Sequence, residues 1–238
     1  MAGSLSLVAG GAVSTHLQPA DAPPFPRGAG VSWRLPTPAS PTLSEVFASH
    51  PRDGGWAGFL LAQVDRERPV LWVQDRMAII ESGRVHPPGL RLPSLIHVEA
   101  RDARDALWAM EEGVRCAALC CVIGEIWGDP KALDFTATRR LAVAAERSGV
   151  TCWLVRLNGA ANLSGARMRW RVGAMPSLAN TLDPKAPGLP VWDCDLFRAR
   201  GLRPGRWSFA DDGGAAGALH RIAEPGDRAL GEGRRLSA

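Results

Sequence analysis

The sequence predicts an α/β fold in which a mostly parallel sheet carries helices on both faces and ends in an antiparallel extension. Between residues 69 and 157, short and nearly continuous apolar segments alternate with segments whose apolar residues recur at helical spacing. Strands that are apolar along their whole length are typical of parallel sheets buried on both faces. Beyond residue 158 polar and apolar residues alternate, which is typical of half-exposed strands.

The strands and helices of the parallel part follow from these patterns. The apolar segments predict strands at residues 69–73, 95–99, 117–126 and 150–157. The helical spacing predicts helices over residues 102–115 and 134–149. Asp102 favours the positive end of the first helix dipole, Asp134 can cap the second helix, and Gly149 can end it.

Shorter elements are predicted on either side of this alternation. LSEVFA, beginning at Leu43, predicts a short helix capped by Thr42 or Ser44, and GFLLAQV, from residue 58, predicts a second short helix or turn. The segment HPPGLRLP predicts a loop. The alternating segments predict antiparallel strands at residues 168–172, 191–196 and 206–209.

Composition divides the chain into one domain with two tails. Residues 1–41 are rich in Pro, Gly, Ala and Ser, and predict a flexible arm. Residues 42–210 form the predicted domain, and the polar, Gly-rich residues 211–238 are expected to be a flexible tail. No apolar run approaches the ~18 residues that span a bilayer, and Leu5–Val13 lacks the basic residues that precede a secretory signal. A cytoplasmic protein that does not enter membranes is therefore expected.

Charge and cysteine content exclude little. The formal net charge is +4 over 238 residues, with a pI of about 9.1. This charge is weak support for an anionic partner, because an Arg-rich composition also arises without one. The five cysteines have no C-x-x-C spacing, which argues against a disulfide framework or a zinc site. No metal or cofactor is predicted.

The sequence resembles a nucleotide-binding framework that has lost its phosphate loop. Gly54, Gly55 and Gly58 lie about where a P-loop domain carries G-x-x-x-x-G-K-[ST], but Phe59 follows Gly58. The chain has only two lysines, both far from this cluster. Without the Lys cation and the hydroxyl ligand to Mg²⁺, ATP hydrolysis is not expected. The alternative is a working ATPase in which Arg52 replaces the Lys.

Two acidic residues end the predicted strands beside this loop. Glu125, near the end of the 117–126 strand, matches the second acidic motif of a P-loop domain, and Asp75 matches the place of a catalytic carboxylate. Glu125 could hold Mg²⁺ through water. In the absence of the Lys, the interpretation of Glu125 as a polar residue at the sheet edge is favoured, and Asp75 is interpreted in the same way.

Two arginine groups are the candidate binding residues. Arg167, Arg169 and Arg171 alternate with Met168 and Trp170, so the three guanidinium groups are expected to share one sheet face. That face either follows phosphates or an acidic partner, or is ordinary solvated surface. The predicted partner- or DNA-contacting turn carries Arg198, Arg200, Arg203 and Arg206.

Two further features bear on binding. The loop NGAANLSG, residues 158–165, has neither charge nor aromatic residue, which argues against direct strand binding there. Core packing is the expected role of six tryptophans, namely Trp72, Trp108, Trp127, Trp153, Trp170 and Trp192.

The order of these segments resembles the ImuA-type proteins. It runs through LSEVF, LWVQD, RDARDALWAMEEGVRC, VIGE, ALDFTATRRLAVAAERSGV, RWRV and LFRARGLRPGRW. The similarity covers about residues 43 to 210, and its strongest parts are DFTATRRL, residues 134–141, and RGLRPGRW, residues 200–207. Neither part is a catalytic signature.

The resemblance implies a RecA-like accessory factor of bacterial SOS mutagenesis with a degenerate phosphate loop. Its implied partners are a Y-family-like protein of the ImuB type and an error-prone, replicative-type polymerase, with RecA as a further candidate. A non-catalytic role in translesion synthesis is the resulting expectation. Two alternatives remain open: a RecA-like ATPase or DNA-binding recombination factor, and a regulator that inhibits RecA or cell division.

Overall fold

The computed structural model describes residues 38–65, 67–90, 92, 94–180, 182–183, 185–211 and 219–223. The strands of this part are β1 (Leu43–Ala48), β2 (Val70–Asp75), β3 (Leu95–Ala100), β4 (Cys121–Trp127), β5 (Thr151–Leu157), β6 (Met168–Met175), β7 (Val191–Ala199), β8 (Gly205–Asp211) and β9 (Leu219–Ala223). Its helices are α1 (Gly55–Leu61), α2 (Arg76–Ser82), α3 (Pro87–Leu90), α4 (Ala103–Val114) and α5 (Phe135–Ser148).

All of the described strands belong to one sheet of mixed direction. Their order is β3-β2-β4-β5-β1-β6-β7-β8-β9. The first six strands in this order run parallel, and β7, β8 and β9 continue the sheet antiparallel. The predicted fold class, a mostly parallel α/β sheet with an antiparallel C-terminal extension, is confirmed.

The predicted helix from Leu43 is wrong, because these residues form β1 in the middle of the sheet. β1 pairs with β5 on one side and with β6 on the other. Leu43 and Val46 lie on opposite faces and are both fully buried. A three-residue spacing of apolar residues fits one helix face, but it also fits a strand that is buried on both faces.

The long helices begin and end where the sequence predicts. The Asp102 carboxylate accepts hydrogen bonds from the backbone N–H groups of Arg104 and Asp105, at 2.9 and 3.0 Å. Asp134 caps α5 in the same way, and Gly149 follows it with a left-handed φ of 76°. The sequence did not predict α2, and α3 lies in the segment predicted as a loop.

The two faces of the sheet carry different cores. One face is aromatic, with Phe59 of α1 packed 5.3 Å from the Trp170 ring and 6.5 Å from the Trp153 ring, measured between centroids. The other face is aliphatic and lies under α4 and α5. The prediction of core tryptophans holds for most of the six but is wrong for Trp108, which is 64% exposed on α4.

The C-terminal segment also differs from expectation. Residues 219–223, inside the predicted flexible tail, form β9 and pair with β8. The predicted N-terminal arm lies almost wholly outside the described residues. No helix in the described part of the chain is long and apolar enough to cross a membrane.

Candidate functional site

The loop between β1 and α1 contains Gly54, the first glycine of the cluster expected to replace a phosphate loop. β1 ends at Ala48 and α1 begins at Gly55, so six residues connect them. The motif places its Lys directly after the last loop glycine, at the start of the helix. Gly54 directly precedes α1, so Gly55 and Trp56 are the first two helix residues, where the motif would have Lys and Ser or Thr. Gly58 lies inside α1, and its predicted place in the loop is wrong.

Neither of these two positions has room for the phosphate-binding groups. A Cβ atom on Gly55 would lie 2.6 Å from the backbone nitrogen of Ala174, so a side chain there requires the backbone to shift. Trp56 is buried in the aromatic core, with its ring 6.2 Å from that of Trp72. Packing therefore leaves no space in this loop for a Lys side chain and a hydroxyl group at these two positions. We call residues 49–54, with Gly55 and Trp56, the closed loop.

A carboxylate of the chain itself uses the polar groups of this loop. Asp53 accepts hydrogen bonds from the Gly55 N–H at 2.8 Å, from the Ala174 N–H at 3.0 Å and from the Ser49 hydroxyl at 2.6 Å. Partial burial by itself would raise the pKa of Asp53, but these three hydrogen bonds outweigh it and hold the pKa below its usual value. A phosphate entering the loop would compete with Asp53 for the same donors.

Asp75 is occupied as a structural residue. Its carboxylate caps α2 by accepting the Ala78 N–H at 2.6 Å, and it accepts the Trp127 N–H at the end of β4 at 3.2 Å. Burial raises the pKa of Asp75 although these backbone donors oppose the rise. The carboxylate therefore joins α2 to β4 rather than facing an open site.

Glu125 lies inside the sheet and not at its edge, which corrects the sequence-based interpretation. β4 is flanked by β2 and β5, and Glu125 is 2% exposed. Its carboxylate accepts hydrogen bonds from the indole N–H of Trp72 and from the amide of Gln74. Burial raises the pKa of Glu125 to about 7, with a smaller contribution from the Asp75 charge, against the effect of both hydrogen bonds.

The arginines of the 167–171 segment do not form a continuous exposed stripe. Met168 and Trp170 lie on the aromatic face as predicted, but Arg169 on the opposite face is only 3% exposed. Arg167, just before β6, pairs with Glu146 at 2.7 Å, and Arg171 pairs with Asp195 across the sheet at 3.6 Å. Each of the three arginines is thus engaged by a carboxylate of the chain.

Arg169 belongs to a buried charge network that sequence reasoning missed. Glu45 of β1, fully buried, accepts a hydrogen bond from Arg169 at 2.6 Å and faces Arg156 of β5 at 3.8 Å. The Phe47 ring lies 5.2 Å from the Arg169 guanidinium and 5.5 Å from that of Arg156. We call Glu45, Arg156 and Arg169 the buried triad. A charged residue within the apolar segment LSEVFA was the available signal.

The buried triad also positions the loop between β5 and β6. Arg156 is paired with Asp129, which accepts hydrogen bonds from the Ala160 N–H and the Asn162 amide. Arg169 donates to the Ala161 carbonyl at 3.4 Å. The uncharged loop of residues 158–165 is therefore tied to the sheet through its backbone.

The predicted basic turn is a β-hairpin end. Arg198 lies near the end of β7, and Arg200 and Arg203 lie in the connection before β8, all three exposed. Arg206 is in β8 and is paired with Asp193. Among the described residues, no ion pair is found for the first three. We call Arg198, Arg200 and Arg203 the hairpin arginines.

The buried triad should dominate the stability of the sheet. Glu45→Gln keeps the shape of the side chain but leaves the buried Arg169 without a counter-charge and removes one of the two carboxylates that face Arg156, so the free energy of unfolding should fall by about 3–5 kcal/mol. Urea unfolding measures the change. The control is Glu146→Gln, which breaks a partly exposed pair with Arg167 and should cost about 0–1 kcal/mol. Equal losses in both variants would contradict the role of the triad.

Glu125 should make stability depend on pH. Its folded-state pKa is raised from 4.5 to about 7, so the folded protein keeps a proton that the unfolded chain releases, and stability falls as pH rises across this window. The unfolding free energy of wild type minus that of Glu125→Gln should therefore decrease from about pH 4.5 to about pH 7 and then level off. The exposed Glu67→Gln gives the control, whose difference should stay flat. A flat difference for Glu125→Gln would refute the prediction.

Comparison with known proteins gives one kind of relative. No family model matches the chain. The chain is 32% identical over 150 residues to Protein ImuA of Caulobacter vibrioides, in strain NA1000 / CB15N and in strain ATCC 19089 / CIP 103742 / CB 15. The match covers 58% of this chain and 58% of each relative, so the chain spans less than two thirds of the length of these relatives. Over those 150 residues the chain is similar to Protein ImuA, in agreement with the resemblance of its sequence segments to ImuA-type proteins.

Proposed function

We propose that this protein is a non-catalytic accessory factor of DNA-damage-induced mutagenesis and translesion synthesis, which acts through contacts with other proteins. The similarity to Protein ImuA supports the process. The closed loop between β1 and α1 supports the non-catalytic role, and it is the observation on which the proposal chiefly rests. The sequence resemblance implies a cytoplasmic site of action, at the nucleoid when damage is processed.

The closed loop removes what phosphoryl transfer requires. Catalysis of this reaction depends on positioning the phosphates and stabilising their charge with cations and N–H groups. Here Gly55 replaces the Lys in a position without space for a side chain, and Asp53 brings a negative charge to the N–H groups. The two acidic positions, Asp75 and Glu125, are both used in hydrogen bonds within the fold. The fold is proposed to serve as a scaffold.

The hairpin arginines are the proposed contact surface for the partner. They are exposed, lie at one end of the antiparallel extension and are free of ion pairs among the described residues. Clustered charges steer association and orient an acidic partner. The proposed partners are an ImuB-type protein and an error-prone polymerase, with RecA as a further candidate.

The non-catalytic role predicts that the protein neither binds ATP tightly nor hydrolyses it. Equilibrium binding of labelled ATP with Mg²⁺ should show no saturation in the low micromolar range, and ADP should not accumulate above the buffer control. Asp53→Ala removes the competing carboxylate but restores neither the Lys nor the hydroxyl, so hydrolysis should stay absent. Low-micromolar binding or turnover by the wild-type protein would contradict the proposal.

The contact surface predicts a loss of function without a loss of fold. Changing all three hairpin arginines to Ala should leave the unfolding free energy within about 0.5 kcal/mol, since exposed side chains contribute little. Damage-induced mutation frequency in cells that carry this variant should fall toward that of a deletion strain. The charge-matched control is Arg52→Ala, Arg76→Ala and Arg84→Ala, which should retain wild-type frequency. Wild-type mutagenesis in the hairpin variant would refute the assignment of this surface.

A further inference from the structure

A basic cleft lies between α4 and α5, on the outer side of the helices. Its volume is about 460 Å³. Val143 and Ala144 contribute an apolar patch, and Thr136 and Ser148 contribute hydroxyl groups. The charged residues that line it are Glu111, Arg115, Arg139, Arg140 and Arg147. Four guanidinium groups thus surround one carboxylate.

The mostly buried carboxylate of Glu111 holds two of these four arginines in place. Glu111, with a side chain 9% exposed, pairs with Arg115 on its own helix and with Arg140 on α5. Arg115 also pairs with Glu112. Arg139 and Arg147 are exposed and have no ion-pair partner among the described residues. The cleft therefore has two guanidinium groups held in place and two available to an incoming anion.

An exposed tryptophan continues the same surface. Trp108 is 64% exposed and lies on α4 three residues before Glu111 and seven before Arg115. Seven residues of α-helix span about 10 Å, so the indole lies roughly two turns along the helix from the Arg115 end of the cleft. The buried side of α4 is already complete without Trp108, because Ala106, Met110 and Val114 fill it.

We propose that the cleft between α4 and α5 binds single-stranded nucleic acid, with the backbone phosphates on Arg139 and Arg147 and a base stacked on Trp108. Guanidinium groups match phosphate oxygens in a planar, bidentate geometry. A flat aromatic ring beside a positively charged groove is the combination that holds unpaired bases. An acidic polypeptide would satisfy the arginines, but it would need an aromatic side chain at the matching distance to stack on the indole, whereas every nucleotide supplies both a phosphate and a ring. Duplex DNA would not present its bases to the indole.

Fluorescence anisotropy of a labelled 20-nucleotide oligothymidine tests the proposal, with the full chain titrated at several salt concentrations between 50 and 200 mM. Wild type should bind saturably, with affinity that falls as salt rises. Arg139→Ala with Arg147→Ala should weaken binding and reduce the slope of log K against log salt by about 1.4. Trp108→Ala should weaken binding about tenfold while leaving the salt slope unchanged.

The controls separate this site from general polyanion binding. Arg76→Ala with Arg84→Ala removes the same charge elsewhere on the surface and should bind as wild type. Oligouridine in a parallel titration distinguishes RNA from DNA as the preferred strand. The proposal would be overturned if binding at 50 mM salt did not saturate. It would also be overturned if the cleft variant and the control variant lost equal affinity. A third contradicting outcome is wild-type affinity in Trp108→Ala together with full competition by polyglutamate of equal charge. Because no mutagenesis assay is used, the result is independent of the proposed function.

Discussion

A single carboxylate in the middle of the sheet, Glu45, joins three adjacent parallel strands, and the last of them, β6, pairs with the antiparallel extension. β1 is paired with β5 and with β6, and Glu45 faces an arginine from each of them. In this dry environment neither guanidinium could remain without a counter-charge, and the Phe47 ring adds cation–π contacts to both. The arrangement has a functional consequence, because Arg169 is committed to the core and cannot meet a phosphate or a partner.

Polar groups are also used internally at Asp53, Asp75 and Glu125, which lie in or near the expected nucleotide-binding region. Asp53 links the loop after β1 to the backbone of β6 at Ala174. Asp75 caps a helix, and Glu125 accepts hydrogen bonds from Trp72 and Gln74. Each of these three carboxylates accepts hydrogen bonds from within the fold.

The charges that the fold does not need lie on its outer surfaces. The hairpin arginines are at one end of the extension, whereas Arg139 and Arg147 lie on a helix that covers the other part of the sheet. Exposed charges of this kind contribute little to stability. Both surfaces are therefore proposed to serve association rather than folding.

The sequence by itself determined the elements whose signals are local. The apolar strands 150–157 and 69–73, the helix caps at Asp102 and Asp134, and the change to alternating strands after residue 158 were all predictable, because caps and periodicity depend on near neighbours in the chain.

Tertiary structure decided the rest. β1 looked helical because Leu43 and Val46 fit one helix face, and only pairing on both sides with β5 and β6 makes it a strand. β9 gave no periodic signal and exists by pairing with β8. The burial of Arg169 and the exposure of Trp108 depend on which elements pack against each side chain. The sequence pattern does not show such packing, because it involves residues more than a hundred positions apart, such as Glu45 and Arg169.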